Sequence, residues 1–206
     1  MTLLRIARFA LWSSVLVVGT ATATLYLVRP APQLQAAAVV SNGQSSLGKA
    51  PYELVDTRGN AFNPQVMTGA PTLLFFGFTQ CPDICPTSVA DIMLWYEQLG
   101  EEAADLRSYF VTIDPERDTY RRIAEYLSWT KRIVGVTGTP EEIAAVAASW
   151  GVHYEKISEP DGGYTMDHTS AVYLIDRQGE FVTFISYGEE TSVAVEKLRS
   201  FLRSQP

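Results

Sequence analysis

An α/β fold, with a mixed central sheet covered by helices on both faces, is predicted from three features of the sequence. The first is the unbroken apolar run Thr72–Phe78, the pattern of a strand buried on both sides. The second is the alternation of such runs with segments of helical period. The third is a pair of alternating segments near the C-terminus separated by a short polar turn, which reads as an antiparallel hairpin.

Taken in order, Tyr52–Val55 followed by Arg58-Gly59-Asn60 reads as a short strand and turn. After the strand Thr72–Phe78, Pro86 is expected to open a helix in which Val89, Ile92, Met93 and Tyr96 recur at three- and four-residue spacing, up to Gly100. Tyr109–Ile113 is a second buried strand, ending at Asp114-Pro115. Thr119 is placed to cap a helix through Ile123, Tyr126 and Leu127, and Ile133–Val136 is a short strand. Thr139-Pro140-Glu141-Glu142 sets an N-cap, a proline and two first-turn acids ahead of the helix Ile143–Trp150. Thr169–Ile175 and Phe181–Ser186 form the hairpin, with a four-residue connection at Asp176–Gly179, and Val193–Leu202 is the last helix. Strand-helix-strand, two added helices, then hairpin and helix is a thioredoxin-like three-layer plan.

Ahead of this domain, Arg5 and Arg8 precede an uncharged run of twenty residues, Phe9–Val28. At about 1.5 Å per residue such a helix is about 30 Å long, enough to cross a bilayer. The arginine distribution favours a cytoplasmic N-terminus. A cleaved signal peptide is the rival reading, with Ala21 and Ala23 or Ala36 and Ala38 at the cleavage site. The expected organisation is a cytoplasmic segment 1–8, a single transmembrane helix 9–28, a flexible tether 29–50 rich in Ala, Ser, Gly and Gln, and the folded domain 51–206. A bacterial inner membrane with the domain in the periplasm is the expected location. Three of the 16 basic residues precede Lys49 while all 23 acidic ones follow it, so the exported part carries a net charge of −10. That argues against nucleic acid as a partner.

Cys81 and Cys85 are the only two cysteines, and they stand between the strand Thr72–Phe78 and the expected helix. Ligands and cofactors of open α/β sheets gather beyond the carboxyl ends of the strands. A helix N-terminus there favours thiolate over thiol. In an oxidising compartment the pair drifts to a disulfide, so a dithiol role calls for a periplasmic thiol reductant. Three intervening residues, Pro82, Asp83 and Ile84, allow a disulfide but also allow the sulfurs to surround one ion. Two thiolates and a neutral third ligand suit Cu(I), or Cu(II) when the third is imidazole. Only His153 and His168 can supply one. His153 reads as a surface or edge residue. His168, expected in the loop entering the hairpin, is either a ligand or a histidine satisfied locally by Asp167 or backbone. Asp167 is the candidate to orient the ring in the first case.

Phe76-Gly77-Phe78-Thr79-Gln80-Cys81-Pro82-Asp83-Ile84-Cys85-Pro86-Thr87 resembles the signature loop of the Sco/SenC proteins, copper chaperones of cytochrome c oxidase assembly. Ile113–Thr119, Gly135–Pro140 and Asp167–Asp176 agree with the same family, and the resemblance runs from about Tyr52 to Phe201. It implies a membrane-tethered thioredoxin-like metallochaperone that binds one copper ion, Cu(I) or Cu(II), through Cys81, Cys85 and His168. The implied partners are the copper-acceptor subunit of cytochrome c oxidase and another copper donor. The alternative is a thiol-disulfide oxidoreductase that reduces the acceptor's cysteines. Gln80 departs from the histidine that many members carry there. Met166 reads as a loop methionine at the apolar rim rather than an extra soft ligand. Asp118-Thr119 is expected to cap a helix, with Asp114 left open. A third class, peroxide reduction, would enlist Thr79 and Arg117 beside one nucleophilic cysteine.

Overall fold

The computed structural model describes residues 40–41, 44–160 and 162–205. The expected anchor 9–28 and most of the tether lie outside them. Among the described residues no helix is long and apolar enough to cross a membrane.

The apolar run becomes β5 (Thr72–Gly77), buried at every position. β6 (Arg107–Thr112) and β7 (Ile133–Thr137) lie parallel to it, in register Phe75–Phe110–Gly135. β10 (Ala171–Ile175) pairs antiparallel with the other edge of β5, and β11 (Phe181–Ser186) pairs antiparallel with β10. On the far side β3 (Leu54–Asp56) pairs antiparallel with β7, and β4 (Ala61–Phe62), which the pattern did not announce, pairs with β3. The seven strands run β11-β10-β5-β6-β7-β3-β4. A small ribbon joins β1 (Val40–Ser41) to β2 (Gln44–Ser45), and a separate hairpin joins β8 (Tyr154–Ser158) to β9 (Tyr164–His168).

Helices cover both faces. α1 (Ile84–Leu99) packs with α4 (Thr191–Arg203), and α2 (Tyr120–Tyr126) packs on β7. A side chain at Gly135 would collide with Ile123 of α2, so this glycine is what lets helix and sheet approach. On the opposite face, Trp150 at the end of α3 (Pro140–Ser149) meets Tyr173 edge to face, and Tyr173 meets Phe76 in the same way.

Local chemistry accounts for most of the boundaries. Thr139 is the N-cap expected for α3, and with Glu142 it goes further to form a reciprocal capping box; the Thr119 hydroxyl accepts the Arg122 N–H at the start of α2. α1 begins two residues earlier than expected. Pro86 falls in its first turn, where an N–H has no intrahelical acceptor to lose. The β10–β11 connection has five residues rather than four. The Asp176 carboxylate accepts the N–H groups of Gln178 and Glu180 and thereby closes it.

Candidate metal centre

The site lies where β5 ends and α1 begins. Because α1 starts at Ile84, Cys85 sits in the first turn of the helix and is fully buried, while Cys81 sits in the preceding loop, half-buried. Both thiols are free. The backbone N–H of Cys85, one of the donors left over at a helix start, points at Cys81 Sγ at 3.3 Å. Cys81 is pulled down to about pKa 4, first by the hydrogen bond from the Cys85 side chain, then, against the cost of burial, by His168 and the N–H groups of Cys85 and Asp83. The Cys85 thiol is pushed up, by giving that hydrogen bond and by its burial. One sulfur is a thiolate in reach of solvent and the other a buried thiol.

Gly77 makes room for this arrangement. A Cβ there would stand 3.0 Å from Cys85 Sγ and from the Phe110 ring, and 3.1 Å from Phe75. A glycine inside a buried strand signals a close approach, and the approaching group here is a sulfur.

The loop before Cys81 is held by Asp118, which is fully buried. Its carboxylate accepts the Thr79 N–H at 2.9 Å, the Thr79 hydroxyl, and the Thr112 hydroxyl at 2.7 Å. Asp118 therefore does not cap α2, contrary to expectation; Thr119 alone does so. Burial raises the Asp118 pKa, opposed by the hydrogen bonds from Thr79 and Thr112. Thr79 is thus engaged by Asp118.

His168 arrives from the other side. It is the last residue of β9 rather than part of a loop, and its Nε2 lies 3.5 Å from Cys85 Sγ. Nδ1 lies 2.9 Å from the Thr169 carbonyl oxygen. A carbonyl only accepts, so Nδ1 carries a proton; Nε2 is the nitrogen that faces the sulfurs, donating to a thiolate when the ring is charged and offering its lone pair to a cation when it is neutral. The orienting contact is this carbonyl; the Asp167 side chain is exposed. Phe78 and Phe75 meet the imidazole edge-on, with centroids 5.9 and 6.5 Å away. Met166, two residues back on β9 and so on the same face, is buried. It helps line a cavity of about 260 Å³ together with Phe78, Cys81 and His168. His153 is exposed and joins the Thr169 segment through its backbone, away from the sulfurs.

Arg117 ties the β8–β9 hairpin to the β6–α2 loop. It pairs with buried Asp114, donates to the Tyr164 carbonyl at 2.7 Å, and stacks 3.6 Å over the Tyr164 ring. Tyr164 donates back to Asp114 at 2.9 Å, which gives Asp114 its role. Sequence reasoning missed Gly77, Asp118 and this Arg117 clamp. Only the glycine inside a strand left a readable trace.

Among the described residues no set of three or more His, Cys, Asp or Glu side chains stands in metal-holding geometry. The two sulfurs and the imidazole meet in pairs, linked by hydrogen bonds. As a donor set, two sulfurs and one neutral nitrogen fit a soft cation.

The fold and site define a class: a thioredoxin-like domain carrying a vicinal dithiol at a helix start with an imidazole facing it. The family model for SCO1/SenC matches residues 40–203. The chain belongs to that family. It is 36% identical over 155 residues to the mitochondrial SCO1 homolog 1 of Arabidopsis thaliana, covering 74% of this chain and 46% of that one. The chain thus spans about half the length of that plant relative. An SCO2-like protein of Rickettsia typhi is 31% identical over 196 residues, covering 94% of both chains. The structure of Bradyrhizobium japonicum ScoI with copper bound is 39% identical and superimposes with a TM-score of 0.68, covering 75% of this chain and 99% of that one.

Proposed function

We propose that this protein is a membrane-tethered copper metallochaperone that serves the dinuclear copper centre of cytochrome c oxidase. Copper is its cargo, held by Cys81, Cys85 and His168. The observation that carries this reading is the approach of His168 Nε2 to Cys85 Sγ, with His168 and Cys81 lining one cavity. Cys81 is already a thiolate, so of the two sulfurs only Cys85 must give up a proton to bind Cu(I), and Nε2 enters as a neutral donor. Cys81 is the sulfur in reach of solvent and is therefore the one that passes the ion by ligand exchange to the acceptor subunit. The anchor is the segment 9–28, in a bacterial inner membrane with the domain in the periplasm. Competition with a Cu(I) chelator tests the site: Cys81→Ala should lose affinity by orders of magnitude, and wild-type affinity in that variant sinks the proposal.

A second reading is favoured by the asymmetry of the sulfurs. Cys81 thiolate attacks an acceptor disulfide and forms a mixed disulfide. Cys85, giving up its proton, then attacks Cys81, leaving an acceptor dithiol and a Cys81–Cys85 disulfide. Two electrons pass to the acceptor, and a periplasmic thiol reductant restores the pair. Full oxidase assembly in cells carrying His168→Ala selects this reading over copper delivery.

A further inference from the structure

At the opposite end of the sheet, Arg58, Arg107, Lys131 and Arg132 line one concavity of about 290 Å³, with Tyr109 between them. The chain as a whole has a formal net charge of −7, so four cations around one hollow run against its composition. Among the described residues none of the four forms an ion pair, although seven other basic side chains do.

Two of the four are held in place by the fold. Arg107 Nη1 donates to the Val66 and Thr68 carbonyls at 3.2 and 3.3 Å, which leaves its Nε and Nη2 N–H groups without a protein acceptor among the described residues. The Arg132 guanidinium lies 4.7 Å over the Tyr96 ring and donates no side-chain hydrogen bond to the protein. Arg58 and Lys131 likewise make none, and all four are exposed. Asp56, two residues before Arg58, is turned to its own turn, where it accepts the N–H groups of Arg58 and Asn60.

The backbone supplies an independent observation. Lys131 is the only non-glycine among the described residues with positive φ, at 53°, and the Arg132 N–H donates across it to the Thr130 carbonyl at 2.7 Å. A left-handed residue costs about 1–2 kcal/mol, and such strain collects at ligand clamps. Here it places Lys131 and Arg132 side by side on the rim.

We infer that this concavity is an oxyanion site for a phosphate group. Its volume stands at the lower edge of the about 300–1,000 Å³ of pockets for drug-sized molecules. Guanidinium forks suit the geometry of phosphate oxygens. β6 runs from Arg107 to Thr112, about 17 Å at about 3.3 Å per residue, so the site is occupied independently of the sulfurs at the other end. Phosphate chemistry has two sources here, free phosphate and the headgroup of an anionic lipid.

The test is equilibrium dialysis of the full chain in a neutral detergent, with inorganic phosphate in one arm and glycerophosphoglycerol, a soluble lipid headgroup, in the other, at constant ionic strength. Wild type should retain one of the two, and whichever binds tighter identifies the source. Arg132→Gln and Arg58→Gln should each weaken retention about tenfold, the loss of one charge-assisted contact. Lys131→Gly, which relieves the φ angle and removes the charge, should weaken retention while keeping the fold, read as an unchanged copper-binding titration. Retention of neither probe, or retention unaltered in all three variants, overturns the inference.

Discussion

Replacing Gly77 by alanine tests whether the dithiol is positioned by packing. The added methyl would stand 3.0–3.1 Å from Cys85 Sγ, Phe110 and Phe75, against 3.4–4 Å for ordinary contact. All three neighbours are at most 1% exposed, and none is the loose end of a flexible side chain. Each must retreat by a few tenths of an ångström. Overpacking of this kind costs about 1–3 kcal/mol. Against it stands about 0.4–1 kcal/mol from the lower backbone entropy of an unfolded alanine. The net loss is about 1–2 kcal/mol, a fall in Tm of about 2–8 °C for a chain of this size. Retreat of Cys85 also alters its 3.5 Å approach to His168 Nε2, so Cu(I) affinity should fall together with Tm. Thermal denaturation and chelator titration of the same preparation read both effects. A variant with wild-type Tm and wild-type copper affinity refutes the claim that Gly77 sets the position of the sulfur.

Other outcomes follow from the same geometry. Alkylation of the reduced protein should modify Cys81 alone, at a rate that holds steady from neutral pH down to about 5 and drops through about 4, where its thiolate is protonated; modification of Cys85 in the native state contradicts the assignment. The lowered Cys81 pKa also stabilises the fold as pH rises. Between about 4 and the ordinary 9.0 the unfolded chain binds the extra proton, so this contribution is lost as pH falls through that window. Cys81→Ser should therefore lose less stability than wild type between pH 8 and 5, and equal losses count against it. Asp118→Asn keeps one acceptor for the Thr79 N–H but no longer accepts both hydroxyls. The expected cost is about 2–4 kcal/mol, from about 1.5–3 kcal/mol per hydrogen bond to a charged group, and an unchanged denaturant midpoint contradicts it. Arg117→Met should remove amide exchange protection from the β8–β9 hairpin and leave β5–β7 protected, whereas uniform loss points to a global role instead.

What the sequence disclosed was what is encoded locally. Thr139-Pro140-Glu141-Glu142 announced the start of its helix because the cap, the proline and the first-turn acids lie within four residues. Thr72–Phe78 announced a central strand because both of its faces are apolar. The β8–β9 hairpin stayed hidden because β8, Tyr154–Ser158, is largely exposed and has no apolar alternation to read. His168, which ends β9, consequently looked like a loop residue. Asp118 reaches Thr79 across 39 positions and Arg117 reaches Tyr164 across 47, distances at which a single sequence gives no pairing signal. Asp167 was chosen to orient the imidazole because it is adjacent, yet a strand turns adjacent side chains to opposite faces, and the Thr169 carbonyl makes the contact instead.

The central claim, that two sulfurs and one imidazole hold one copper ion, is tested most directly by the absorption spectrum of the Cu(II)-loaded reduced protein beside its His168→Ala variant. A thiolate-to-copper charge-transfer band in wild type that is lost or strongly displaced in the variant is the predicted result. An identical band at equal copper affinity in both proteins would contradict the account.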